Sequence, residues 1–376
     1  QSLVLLKNQN QLLPLKKSGT IGLIGPLADA KENMPGTWSV ATKMENAVSL
    51  LRGIKEVAGT GTKVLYAKGS NLDYDETFET NATMFGKTLH RDSRSKEELL
   101  AEALKVAEQS DVIVAALGES AEMSGESSSR TNLQIPQAQK DLLNALLKTG
   151  KPVVVVLFDG RPLVITDEEK TVPAILNAWF AGTEAGYAIA DVLFGDVNPS
   201  GKLTSTFPRS VGQLPIYYAH KNTGRPLSNT EGKFEKFRSN YIDERNEPLF
   251  PFGFGLSYTN FDYSNLKISS DKMNFSGKLK VTVDVTNTGN FDGKETVQLY
   301  IRDLVGSVTR PVRELKGFQK IALKKGEKQT VSFDITVEDL KFYNSDLQFV
   351  AEPGQFDVFV GGNSNADKKV SFELTK

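Results

Sequence analysis

The spacing of apolar residues changes near residue 266, and that change splits the chain into two kinds of fold. Up to about residue 210, short wholly apolar runs alternate with longer segments whose apolar residues recur three and four positions apart. The runs predict strands at 21–26, 63–67, 111–117, 152–158 and 174–180. The segments ENAVSLLRGIKEVAG, KEELLAEALKVAEQS, PQAQKDLLNALLKTG and EAGYAIADVLFG predict helices. Strand and helix in strict alternation imply right-handed crossovers and a mostly parallel sheet with helices on both faces. Strands such as VVVVLF, apolar at every position, suit that arrangement because both faces of the sheet are covered.

From 266 onward the period is two. Leu279, Val281, Val283 and Val285 share one face of a strand, and Lys280, Thr282 and Asp284 share the other. Val297, Leu299 and Ile301 repeat the pattern, as do Val331, Phe333 and Ile335, and Phe356, Val358 and Val360. Turn signals NTGN, LKKGE and EPGQ separate these runs, as in a small β-sandwich of immunoglobulin or fibronectin type III kind. The fold class is therefore α/β plus all-β: an α/β/α sandwich domain at 1–210, a connecting segment at 211–265 and a β-sandwich at 266–376. The connecting segment has no sustained period and is long for a structureless tether, so it is expected to pack between the domains. Its run PLFPFGFGLSYTNF carries aromatic rings that would be costly to leave in water.

Composition excludes several function classes. Lys and Arg number 45 against 46 Asp and Glu, with no basic stripe to follow a phosphate backbone, so nucleic acid is not an expected partner. The longest apolar runs fall far short of the ~18 residues of a membrane span, so no membrane partner is expected. Cysteine is absent and there are two histidines, His90 and His220, which leaves no basis for a thiolate or imidazole metal centre; no metal and no cofactor are expected. The Gly-rich GTGTK at 59–63 precedes a strand, whereas a phosphate loop must follow one, so it is a turn. The chain opens on Gln1 rather than Met, and a further segment upstream is expected.

The most informative stretch is GESAEMSGESSSR, 118–130, which begins where the strand at 111–117 ends. Ligands of open parallel sheets sit outside the carboxyl ends of strands, so a polar loop here is a candidate site. It offers Glu119, Glu122 and Glu126, with Arg130 placed to orient Glu126 or to form a plain salt bridge. Trp38, in MPGTWS, follows the first predicted strand and could offer an aromatic face to a ligand or be a core or interface tryptophan. Trp179, inside an apolar run, is expected in the core. Asp159 and Glu184 stand at strand ends as site-lining groups, and His220 is assigned to packing or surface hydrogen bonding.

The run GES…SGESSSRTNLQIPQAQ resembles the segment of family 3 glycoside hydrolases that carries the general acid/base, which on that match is Glu126. Ser129 stands where many members carry Asp before the Arg, as in the periplasmic bacterial β-glucosidase branch. QSLVLLKNQNQLLPL, GTIGLIGPLAD, AWFAGTEAGYAIADVLFGDVNPSGKLTSTFPRS, FPFGFGLSYTNF and RPVRELKGFQKIALKKGE resemble the same family in order along nearly the whole chain. The resemblance implies a retaining β-glucosidase acting on a β-glucoside or oligosaccharide, periplasmic or secreted, with Trp38 near the leaving group. It also implies a partner: the nucleophile, an Asp, belongs to an N-terminal (β/α)₈ barrel that this chain does not contain. A retaining glycosidase needs two carboxyl groups about 5 Å apart, one to attack the anomeric carbon and one to protonate the leaving oxygen. This chain alone is therefore expected to be inactive. The alternative is a noncatalytic carbohydrate-binding or interaction module on the same scaffold; a nucleotide or flavin binder lacks any phosphate loop.

Overall fold

The computed structural model describes residues 1–82, 89–227 and 232–376 and divides into two compact units, Gln1–Gly201 and Lys202–Lys376. The strands of the first unit are β1 (Val4–Asn8), β2 (Gly19–Ile24), β3 (Thr62–Ala67), β4 (Val112–Gly118), β5 (Val153–Phe158) and β6 (Ala174–Asn177). Its α-helices are α1 (Leu50–Ala58), α2 (Glu76–Asn81), α3 (Lys96–Glu108), α4 (Gln137–Lys148), α5 (Thr166–Thr171) and α6 (Ala185–Phe194). The sheet order is β1-β6-β5-β4-β2-β3, parallel throughout except for β1, which runs antiparallel to β6.

Local chemistry sets the helix ends. Ser95 caps α3 in a reciprocal capping box with Glu98, and Ser49 accepts from the Arg52 amide at the start of α1. Gly195 ends α6 in the left-handed conformation that favours glycine. All six side chains of β5 are buried, which is why that strand reads as an unbroken apolar run.

Two differences from the sequence reading concern the sheet edge. β1 was not foreseen, although Leu3, Val4, Leu5 and Leu6 are all buried there. β6 ends at Asn177 rather than 180, because Trp179 takes a left-handed φ of 54° and its N–H donates to Asn177 Oδ1 at 3.3 Å. That local turn breaks the ladder and corrects the expectation of a core tryptophan: Trp179 is half-buried beyond the strand end.

From β2 the chain passes to β3 on one side and then to β4 on the other. The strand order thus reverses between β2 and β4, and in open α/β sheets the place outside the carboxyl ends of such strands is where ligands bind. The loops leaving these two strands carry Trp38 and Glu126.

In the second unit, β7 (Phe261–Ile268), β9 (Lys278–Asn287) and β12 (Lys328–Thr336) form one sheet. The other is ordered β11-β10-β15-β16-β8, from β8 (Lys272–Met273), β10 (Gly293–Asp303), β11 (Glu314–Leu323), β15 (Gly354–Gly361) and β16 (Lys368–Leu374). β13 (Phe342–Tyr343) and β14 (Phe349–Val350) pair as a short hairpin. The alternating residues read from sequence form the core: Val281, Val283 and Val285 meet Leu299, Ile301, Phe333, Val358 and Phe372. The pairings are antiparallel except for the two-residue strand β8, which lies parallel to β16.

The aromatic-rich stretch before β7 also packs on this sandwich. Tyr218 stacks on Phe252 at 4.3 Å and meets the edge of Tyr300 in β10, while Gln298 Nε2 donates to the Gly253 carbonyl.

Gly118, the last residue of β4, sets the spacing at the candidate edge. A Cβ there would lie 1.9 Å from the Phe158 carbonyl oxygen, and its φ is 130°. Gln139 of α4 accepts from its N–H and donates to its carbonyl. Gly118→Ala is expected to destabilise the chain by at least about 1–3 kcal/mol through backbone strain alone; an unchanged urea midpoint for the α/β transition would contradict this.

Candidate functional site

Glu119, the first residue past β4, is completely buried. Its amide donates to the Phe158 carbonyl at 2.7 Å, which extends the β4–β5 pairing by one step and turns the side chain inward. A buried charge must be met inside the protein, and two arginines meet this one. Arg130 Nη1 donates to Glu119 Oε1 at 2.6 Å, and Arg161 Nε lies 3.5 Å from the same oxygen. The Gly160 amide donates to Oε2 at 3.3 Å. Arg130 is therefore committed to Glu119 and does not orient Glu126, which settles the alternatives left open for it.

Glu126 is exposed, and among the described residues its side chain makes no hydrogen bond or ion pair. It sits between Gly125, φ 138°, and Ser127, φ 61°, at the tip of a tightly turned loop. The loop is tied from within: Ser128 Oγ donates to the Glu122 carbonyl at 2.9 Å. It is also tied from two neighbouring strand ends. Thr37, beyond β2, directs its hydroxyl at the carbonyls of Ala121 and Ser124, the second at 2.6 Å. Arg161, beyond β5, donates through Nη2 to the carbonyls of Met123 and Ser128, the second at 2.8 Å. Asn33 Oδ1 accepts from the Ala121 amide at 2.6 Å and secures the loop's start.

Trp38 is 71% exposed, one residue from Thr37. A Cβ on Gly125 would come 2.6 Å from the Thr37 methyl carbon, so the two loops touch through a position where only glycine fits. Trp38 and Glu126 are thus each next in sequence to one member of a contacting pair, Thr37 and Gly125. Trp38 and Glu126 therefore lie on two loops that touch at the carboxyl edge of the sheet. Glu184 is exposed at the start of α6, and His220 is exposed in the second unit, where its carbonyl accepts from the Val312 amide.

Asp159 is the residue whose weight the sequence understated. It follows β5 and is wholly buried, and neither carboxyl oxygen makes a hydrogen bond of normal geometry. Burial first, and then the charge of Glu119, push its pKa well above the usual carboxylate range, against a smaller opposing pull from the Asn177 amide. Glu119, too, read from sequence as one of three loop carboxylates, turns out to be the buried anchor.

Among the described residues no three His, Cys, Asp or Glu side chains converge as metal ligands would. A cavity of about 490 Å³ between α3 and α4 is lined by Asn71, Tyr74, Arg91, Arg94 and Asp141 and includes neither Glu126 nor Trp38. The acidic loop instead presents the exposed carboxyl of Glu126, with Glu122 half-buried, and the loop after β2 presents the exposed indole of Trp38. Such groups can donate or accept a proton and can stack on a ring.

Residues 3–258 match the family model described as the glycosyl hydrolase family 3 C-terminal domain, and residues 295–364 match the fibronectin type III-like domain. The chain is 52% identical over 374 residues to the periplasmic beta-glucosidase of Salmonella typhimurium, a match spanning 100% of this chain and 49% of that protein. It is 41% identical over 381 residues to a beta-xylosidase of Formosa agariphila, again across 100% of this chain and 49% of that protein. Among solved structures, the beta-glucosidase from Listeria innocua in complex with isofagomine superposes with a TM-score of 0.88 at 38% identity, covering 99% of this chain and 48% of that one. The chain spans about half the length of the curated relatives it matches.

The state of Asp159 has a measurable consequence. Its native pKa is raised, so below pH ~4 both the native and unfolded states carry the proton and stability is undiminished. Above that, the unfolded chain releases the proton while the native state keeps it. Stability then falls by about 1.4 kcal/mol per pH unit until the native pKa is reached. Asp159→Asn is expected to remove this loss, so the variant's melting temperature should gain on the parent's as pH rises from 4 to 7. Parallel curves over that range would mean the buried carboxyl is ionised.

Proposed function

Because the chain belongs to glycoside hydrolase family 3, as its C-terminal α/β domain followed by the fibronectin type III-like domain, we propose that it supplies the general acid/base, Glu126, of a retaining β-glucosidase. The observation that carries this reading is the placement of Glu126: exposed, without a side-chain partner, on a loop held at four carbonyls at the point where the strand order reverses. A structural carboxylate would be paired, as Glu119 is. Trp38 offers its indole to the apolar face of a pyranose beside that carboxyl.

The chemistry needs a partner. Glu126 would protonate the glycosidic oxygen as an Asp on an N-terminal (β/α)₈ barrel attacks the anomeric carbon, and would then take a proton from the water that releases the sugar. The substrates are terminal β-D-glucosyl residues, and the site of action is the periplasm or the cell exterior, as the name of the Salmonella relative suggests. The β-xylosidase relative, matched along the whole chain although at lower identity, supports placing the choice of sugar on the barrel rather than here. The division into an α/β domain at 1–210, a connecting segment at 211–265 and a β-sandwich at 266–376 belongs to the same proposal.

By itself the chain is expected to leave β-glucosides intact, and joined to its upstream barrel it is expected to hydrolyse them. In the joined protein, Glu126→Gln should lower turnover of substrates with poor leaving groups by about 10²–10⁴-fold. Activated aryl glucosides, whose leaving oxygen needs no proton, should lose much less in kcat/KM, which reports the first step alone; their kcat still falls because Glu126 is also the base of the second step. Equal loss of kcat/KM on both substrate classes would overturn the assignment, and a joined protein with no activity would favour a noncatalytic module.

A further inference from the structure

The loop that carries Glu126 could not hold its shape unaided. Ser127 is a non-glycine residue in the left-handed region, and Gly125 beside it has a φ of 138°. Backbone of this kind persists only where surrounding contacts over-determine it. Asn33 secures the start of the loop, and two further residues supply contacts across its tip from outside. Arg161 Nη2 donates to Met123 and Ser128, carbonyls on either side of the tip, and Thr37 Oγ1 donates toward Ala121 and Ser124. Arg161 is itself held by the buried carboxylate of Glu119, 3.5 Å from its Nε. Neither Arg161 nor Thr37 contacts the Glu126 carboxyl.

We propose that Arg161, with Thr37, is a positioning residue of the acid/base step: it bridges the two sides of the Glu126 loop and sets the place of that carboxyl against the glycosidic oxygen. The inference rests on the reading of Glu126 given above. Proton transfer in the transition state requires heavy-atom separations near 3 Å, and a displacement of about 1 Å can cost on the order of 10²-fold in rate. Loss of the bridge should therefore act on the proton transfer rather than on sugar binding. A guanidinium suits the role because its planar fork can meet a carboxylate and two carbonyls at once; an ammonium meets fewer of them.

The test uses the chain joined to its barrel and compares a β-glucoside of a poor leaving group with a dinitrophenyl β-glucoside. Arg161→Met is expected to lower kcat and kcat/KM on the first by about 10–10²-fold, with KM nearly unchanged, and to lower kcat/KM on the second much less, since that ratio omits the later step in which Glu126 acts as base. Arg161→Lys should recover part of the loss, and Thr37→Val should show the same split to a lesser degree. An Arg161→Met enzyme that is folded and loses both activities equally, or neither, overturns the proposal. If that variant does not fold, Arg161→Lys and Thr37→Val decide it, and two variants without any leaving-group split overturn it. Glu126→Gln, run in parallel, separates the two ideas. A split there without one at Arg161 and Thr37 sinks only the positioning role; no split at Glu126 sinks the acid/base reading itself.

Discussion

Glu119 leaves the end of β4 with its side chain pointing into the protein, and a wholly buried carboxylate is tolerable only if positive charge and donors are brought to it. The requirement organises the whole carboxyl edge of the sheet. Arg130 comes back from beyond the acidic loop, Arg161 comes across from β5, and the Gly160 amide completes the shell. With both arginines fixed, the loop between Glu119 and Arg130 is closed at its base, and Arg161 has donors left for the carbonyls of Met123 and Ser128. Breaking one partner of such a buried pair is costly, about 3–5 kcal/mol, because the other charge is left unmet. The exposed glutamate at the tip is thus held by a charge that never reaches solvent.

Asp159 shows the complementary solution to the same problem. It is as deeply buried as Glu119 and stands beside it, yet no arginine hydrogen-bonds it. Two adjacent buried carboxylates cannot both ionise cheaply; the arginines go to Glu119, and burial together with the charge of Glu119 raises the pKa of Asp159 well above the usual carboxylate range.

The second unit rests on a simpler constraint. Its sheets bury one face each, so every second residue is apolar, and the core is the sum of those positions. The Gly- and aromatic-rich stretch before β7 has no period because its described residues form isolated bridges rather than a ladder. It is ordered instead by ring stacking, Tyr218 on Phe252 and Phe250 on Phe254 at 5.2 Å, and by Gln298 reaching the Gly253 carbonyl.

Period and order along the chain were enough to determine the fold class, the five parallel strands of the first sheet, the alternating faces of the sandwich and the loop on which a site should lie. These are properties of neighbours in sequence, and burial on one face or two writes them directly into composition. The motifs of the acidic loop likewise carried the family, and through it the proposal for Glu126 and Trp38. What only the tertiary structure decided is which of Glu119, Glu122 and Glu126 is buried, which carboxylate Arg130 serves, that Trp179 bends out of β6, and that Thr37 and Arg161 converge on one loop. Those contacts join residues dozens of positions apart. Which of several chemically equivalent carboxylates turns inward depends on where β5 and the loop after β2 lie, and no local pattern records that.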